Sequence, residues 1–365
     1  MVNKSYTEYK PDYAIPPGDT LSDVLESKGM TQQELSTRTG MAPKTINEII
    51  KGKAPISADT ALKLESVFGV SASFWLNLEM NYQEDMARIK AKKGLSADIE
   101  QAKKFPYAEM AQKEWVPPTR KDEEKVINLR QFFGVASLER LEDMPFVASF
   151  RRCDTPKTSF HALSAWLRKS VLNAEEIPAE SFSLKALKGS IPLLRNLGKG
   201  SCTDFPDHFK RAREICRKCG VALTIVPHLR HTSVNGATQW VSPVKAVVSL
   251  SFRYPYWDVF WFSLFHELGH MVKGHSKKDI FVNFGNSDDD IREEEANSFA
   301  ADTLIPPKQY QEFRNRGNFS DDAVEAFAKE METSPVILLG RLCKEQILSW
   351  DIFARSRFDR RLQPD

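Results

Sequence analysis

A chain of 365 residues, 41% hydrophobic and 27% charged, has material for two or three domains of roughly 100–200 residues each. Its net charge of +2 excludes nucleic-acid binding by bulk charge, so any such role must be local. No apolar run reaches the roughly 18 residues that span a membrane, Met1 to Tyr6 has no signal-peptide core, and the five cysteines have no framework spacing; a cytoplasmic protein is expected.

The first 17 residues are polar and run into Ile15-Pro-Pro-Gly18, a stretch expected to lie outside any helix. Asp19 to Gly29 reads as a short amphipathic helix with Leu21, Val24 and Leu25 inward and Gly29 as its stop. Thr31-Gln-Gln-Glu34 is a capping box that opens a second helix, ended by Gly40. Ala42 to Gly52 makes a third, with Ile46, Ile49 and Ile50 inside; two more follow, from Ser57 to Phe68 and from Ser71 to about Lys90. Helix, short turn with glycine, helix, within a small bundle, is the helix-turn-helix pattern. In that geometry the start of the later helix enters the major groove, which makes Lys44, Thr45 and Asn47 candidate base readers beside Pro43 and Glu48. Gln32, Gln33, Arg38, Lys51 and Lys53 are candidate phosphate contacts. A helical bundle that binds only protein would show the same pattern.

Ile15-Pro-Pro-Gly18, Gly29-Met-Thr-Gln-Gln-Glu-Leu35, Ile46-Asn-Glu-Ile-Ile-Lys-Gly52 and Phe74-Trp-Leu-Asn-Leu78 resemble the XRE (lambda-repressor-like) helix-turn-helix, in its HigA-type antitoxin branch. The resemblance covers about residues 13–90 and implies a homodimer on palindromic operator DNA, repressing its own toxin–antitoxin operon.

Residues 91–180 read as a helical intermediate region: a basic segment from Met86 to Lys104, a break at Trp115-Val-Pro-Pro118 expected to be exposed and extended, a helix from Lys121 to Phe133, and apolar stretches at Phe146 to Phe150 and Phe160 to Leu172. His161 there reads as a core histidine. From residue 181 to about 345 the pattern turns α+β. Ser183 to Leu197 and Asp204 to Lys218 are helical, and Gly220 to Pro227, Gly236 to Val241 and Lys245 to Leu250 are strands. Cys216-Arg-Lys-Cys219 is a lone pair that reads as a helix turn before Gly220. Residues 346–365 are expected to be a C-terminal tail.

The strands lead to Phe260-Trp-Phe-Ser-Leu-Phe-His-Glu-Leu-Gly-His270, an apolar helix that carries H-E-x-x-H. Four residues are a little more than one turn, so His266 and His270 project from one face and can hold one Zn²⁺. Glu267 stands beside them as a candidate base. A third ligand is sought on Arg292 to Pro306, a helix whose face formed by Ala296, Phe299 and Ala300 also carries Glu293; Glu294 and Glu295 point toward solvent. His275, just past the motif, is expected to be exposed.

Gly220 to Pro227, Asn235-Gly-Ala-Thr-Gln-Trp240, Leu250-Ser-Phe-Arg253, Phe260 to His270, Glu293 to Pro306 and Ser334-Pro-Val-Ile-Leu-Leu-Gly-Arg341 resemble the ImmA/IrrE metallopeptidases over about residues 185–345. That implies a zinc-dependent endopeptidase acting on regulatory proteins, with His266, His270 and Glu293 as zinc ligands and Glu267 as general base. The run of three glutamates leaves Glu294 and Glu295 open as ligand choices. The expected whole is multidomain, an all-α helix-turn-helix bundle plus an α+β gluzincin-like domain. Two readings follow: a DNA-binding regulator that cleaves a protein substrate, or an autoregulatory antitoxin whose peptidase-like half binds a cognate toxin without turnover.

Overall fold

Local chemistry fixes the ends of the first helices. Pro17 occupies the first position of α1 (Pro17–Ser27), where the amide hydrogen it lacks would have had no partner. Pro17 and Gly18 are therefore its first turn, against the expectation that Ile15 to Gly18 is non-helical. The Thr31 hydroxyl accepts the Glu34 amide at 3.1 Å to start α2 (Gln32–Thr39), and Gly40 ends it with φ +66°. The reciprocal half of the capping box is replaced, since the Glu34 carboxylate pairs with Arg38. α3 (Pro43–Ile50) follows, then α4 (Ala58–Phe68), capped by Ser57 and stopped by Gly69, and α5 (Ala72–Ala102). The segments expected at 71–90 and 86–104 are thus one helix.

The structure, a computed structural model, describes residues 13–143, 158–275, 281–283 and 291–362 (92 and 93 by backbone only), and the chain divides into units 1–98 and 99–365. In the first unit Leu21, Leu35, Ile46, Ile49, Leu64 and Trp75 form a buried core. A Cβ on Gly18 would lie 2.1 Å from the Ile49 carbonyl oxygen, so glycine is what lets α1 lie against α3.

The second unit opens with α6 (Tyr107–Gln112), α7 (Asp122–Phe133) and α8 (Phe160–Glu175). α9 (Leu184–Leu197) and α10 (Phe205–Arg217) lead into β1 (Val221–Ile225), β2 (Gly236–Ser242) and β3 (Lys245–Leu250). The sheet order is β1-β3-β2-β4, where β4 (Phe281–Asn283) is a short strand that sequence reading did not foresee. β1 is parallel to β3, and β2 is antiparallel to both β3 and β4. Successive side chains face opposite ways. Ala222 and Val247 pack with Ala174 of α8, whereas Val221, Leu223, Ala246 and Val248 join the main core. Burial on both faces explains why β1 and β3 read as continuous apolar runs.

α11 (Trp257–Val272) is the core helix of this unit, flanked by α12 (Ile291–Leu304) and α15 (Pro335–Lys344); α13 (Pro307–Arg316) and α14 (Asp321–Glu330) lie between these in sequence. Glycines set these approaches. A Cβ on Gly269 would lie 3.1 Å from Phe299 and 3.2 Å from the Ala296 backbone, so the glycine inside the H-E-x-x-H turn is what admits α12.

Three expected boundaries move. α8 belongs with the sheet, because the Trp166 indole donates to the Val226 carbonyl at 3.0 Å and Gln239 donates to the Leu167 carbonyl at 3.3 Å. The break at Trp115 to Pro118 is not a free linker: Val116 is buried, Trp115 stacks on Phe132, and the Pro117 carbonyl accepts from Tyr107. The last segment is no tail, since α16 (Trp350–Arg355) and Leu362 seat Phe353 and Leu362 in the core. The stretch expected at Phe146 to Phe150 lies outside the described residues. No described helix is long and apolar enough to cross a membrane.

Candidate functional site

α11 is apolar nearly all round and buried along its length, and the polar side chains it buries are those of the motif together with Asp258 and Ser263. His266, Glu267 and His270 are 1%, 0% and 2% exposed. The ring nitrogens Nε2 of His266 and His270 face each other at 3.2 Å. From α12, Glu293 turns its carboxylate onto both, at 3.1 Å from His266 Nε2 and 3.5 Å from His270 Nε2. The three donor atoms lie within 4.8 Å of one another. Glu294 and Glu295 are exposed on the outer side of the same helix.

Each histidine has a partner on its other nitrogen. His266 Nδ1 meets the Asn297 amide oxygen at 2.9 Å, and His270 Nδ1 meets His275 Nδ1 at 2.9 Å. The expectation that His275 is exposed is therefore overturned: its side chain is 7% accessible and bridges His270 to Glu295. Burial works against a charged His266, but Glu293 and Glu267 outweigh it and the net shift is upward. The set has the chemistry of a metal site, two imidazoles and a carboxylate in a buried cluster whose outer nitrogens are already engaged.

Glu267 is the odd member. Its Oε2 accepts from the Thr238 hydroxyl at 2.8 Å, whereas its Oε1 is buried with no partner. Burial pushes its carboxyl up to about 8, against the opposing pull of His266 and the Thr238 hydrogen bond. Gly236, on β2, makes room for it: a Cβ there would lie 2.8 Å from Glu267 Oε1. Beside His270 opens a cavity of about 340 Å³, with Phe182, Trp240, Met271 and Phe281 among its lining residues. Cys216 stands apart, wholly buried with its thiol pushed well up by burial, and Cys219 contacts Ser190 Oγ at 3.0 Å. The pair is packing.

In the first unit the candidate DNA-facing residues lie on the surface. Gln32, Gln33, Arg38, Lys44, Thr45 and Lys51 are exposed and Asn47 is half-buried. Arg38 pairs with Glu34 at 2.6 Å and Lys44 approaches Glu48 at 3.9 Å, both one helical turn apart.

Sequence reasoning found the cluster of two histidines and Glu293 because helical spacing declares a face. It missed Thr238, Asn297 and the His275–Glu295 pair, whose roles come from neighbouring elements. The thin signal for Asn297 was its position four residues after Glu293, on the same face of α12.

Comparison with known proteins agrees with this division. Residues 21–75 match the helix-turn-helix family and residues 260–342 the IrrE N-terminal-like domain family. The chain is 39% identical to virulence-associated protein I of Dichelobacter nodosus over 75 residues, 20% of this chain and 69% of that protein. It is 33% identical to the uncharacterized HTH-type transcriptional regulator YddM of Escherichia coli K12 over 63 residues, 17% of this chain and 67% of that one. A similar solved structure is Pseudomonas aeruginosa antitoxin HigA with the higBA promoter, at 32% identity, covering 22% of this chain and 89% of that chain with a TM-score of 0.22. The chain belongs to the helix-turn-helix family of these relatives, and it joins to that domain an IrrE N-terminal-like domain carrying the His266, Glu267, His270 and Glu293 cluster.

Proposed function

We propose that this protein is a DNA-binding regulator that carries a zinc-dependent endopeptidase centre and cleaves a regulatory protein. The observation that carries the peptidase half is the unpartnered Glu267 Oε1. A buried carboxylate oxygen with no hydrogen bond destabilises a fold, and chemistry is the use that accounts for it. His266, His270 and Glu293 would hold the ion. Bound there, zinc supplies Lewis acidity that polarises a scissile carbonyl and acidifies a water. Glu267 holds and returns a proton at Oε1, its carboxylate form favoured again by a nearby cation. Thr238 keeps the other oxygen fixed, so the free one has a defined direction. The cavity beside His270, where Phe182, Trp240, Met271 and Phe281 stand next to Thr238 and His275, suits a side chain next to the bond cut.

The first unit reads operator DNA as a homodimer, with half-sites about one helical turn apart. Its likeness to a transcriptional regulator supports this reading, as does the exposure of Lys44, Thr45 and Lys51 at the groove-facing helix.

Elemental analysis and a survey of new protein N-termini in expressing cells test the pair of claims. Wild type should hold one zinc per chain, and His266→Ala/His270→Ala should hold none. Glu267→Gln should keep its zinc and lose every cleavage product seen with wild type. Identical termini in the two strains would instead support an antitoxin-type regulator whose peptidase-like half binds a toxin without cutting it.

A further inference from the structure

We propose that His275 and Glu295 are positioning residues for His270, forming a directed hydrogen-bond chain that fixes which of its nitrogens is presented to the metal. The inference rests on the metal-centre reading above.

The end of α11 explains how His275 comes to be there. Lys273 closes the helix, Gly274 follows with φ +79°, and the His275 amide returns to the His270 carbonyl at 3.1 Å. The Gly274 amide bonds the Met271 carbonyl at 3.2 Å. These two bonds make a Schellman motif, which turns the chain back over its own last turn. The His275 ring is thereby carried onto His270.

With both imidazoles neutral, as a metal ligand must be, proton bookkeeping leaves one arrangement. An ionised Glu295 carboxylate can only accept, so His275 Nε2, 3.1 Å away, carries the hydrogen. His275 Nδ1 is left with its lone pair, so His270 Nδ1, at 2.9 Å, must donate. His270 Nε2 is left in turn with its lone pair, directed at the space it shares with His266 Nε2 and Glu293. The same logic holds at His266, where the Asn297 oxygen accepts from Nδ1 and frees Nε2. The two ligands differ in what lies behind them: a neutral amide for one, an imidazole ending on a carboxylate for the other. That carboxylate lies at an exposed position, while the His275 side chain that links it inward is 7% accessible. An isolated Glu–His surface pair would count for little, but here both nitrogens of His275 are engaged and one of them engages a ligand.

The test is zinc affinity of the full chain, measured by competition with a chromophoric chelator, together with the visible spectrum of the Co²⁺ form. Loss of such an outer partner lowers metal affinity about 10–100-fold. His275→Leu should fall in that range and shift the cobalt bands. His275→Gln, whose amide oxygen can accept from His270 Nδ1, should recover most of the loss. Glu295→Leu, at an exposed position that leaves folding intact, should weaken zinc several-fold. If wild type binds zinc and both leucine variants bind it as tightly with unchanged cobalt spectra, the positioning role is wrong and the metal centre stands. If wild type binds zinc no better than His266→Ala/His270→Ala, the metal centre falls and this inference with it.

Discussion

The two candidate sites are both built on helices, and they spend those helices in opposite ways. On α3 the chemistry faces water: Lys44, Thr45 and Lys51 are exposed while Ile46 and Ile49 on the same helix hold the core. On α11 the chemistry faces inward, and the helix has no polar face to spare. A surface site costs its fold nothing but is screened by salt. A buried one keeps its geometry and field but must desolvate every group it uses. Substitutions should therefore part company: in the second unit they should move stability and function together, in the first they should separate them.

The largest expected effect lies where the C-terminal segment grips α11. Arg360 pairs with the buried Asp258 at 3.1 Å and sits among Tyr256, Phe353 and Trp350. Removing one partner of a buried pair costs about 3 kcal/mol or more, so Arg360→Met should lower the melting temperature of this unit by several degrees. The pH dependence has a definite sign. Burial raises the Asp258 carboxyl from its ordinary 3.8 to about 6, with Arg360 opposing the shift. Its contribution is complete below the unfolded value and is lost as pH rises through the folded one. Thermal melts at pH 5 and pH 8 should show the larger loss for Arg360→Met at pH 8. An equal loss at both would break the comparison, because burial of charge would not be what distinguishes this unit.

Next comes Gly236→Ala, whose methyl would lie 2.8 Å from Glu267 Oε1 and 3.0 Å from Leu250. Overpacking of this kind costs about 2 kcal/mol, and Glu267 must shift. Proteolysis should fail while zinc content stays at the wild-type level, a combination that chelator titration and terminal analysis can separate.

His161 gives a gentler effect. It lies edge-on against Phe105 and Phe160, and burial first, then Lys104, pull its pKa from 6.5 to about 4. A histidine held neutral in the fold contributes fully above 6.5, and that contribution is lost as pH falls toward 4. Melting temperature should therefore fall across that window, and His161→Phe should flatten the slope.

How much of this was legible in the sequence follows from how far each feature reaches along the chain. The caps at Thr31 and Gly40, the apolar runs of β1 and β3, and the shared face of His266 and His270 are set within a few residues, and each was readable. Glu293 was readable because a second helix declares its face by period. Thr238 against Glu267 joins residues 29 positions apart, and no local pattern announces it. The bond between Arg360 and Asp258 spans 102 positions, which is why residues 346–365 read as a C-terminal tail. His275 was misread for a subtler reason. Gly274 signals a helix stop, and residues after a stop are usually solvated, but the Schellman turn folds this one back onto the helix it ends.

The smallest effect on stability is expected on α3, and it is the sharpest probe of the contrast. Lys51 is exposed and Asn47 half-buried, so alanine at either should change stability by no more than about 0.5 kcal/mol. Their effects on DNA should nevertheless differ in kind. On the proposed reading the Asn47 amide makes paired hydrogen bonds to a base edge, and losing such a pair relaxes discrimination by about 1–3 kcal/mol at that position. Lys51, at the end of the helix, would neutralise a phosphate whatever the sequence. Lys51→Ala should weaken all sites alike and reduce the slope of log affinity against log salt by about 1. Footprinting and salt titration on the operator upstream of the gene measure both. If Asn47→Ala instead weakened every sequence equally, α3 would be a backbone-binding helix, and the surface that reads bases would have to lie elsewhere on the first unit.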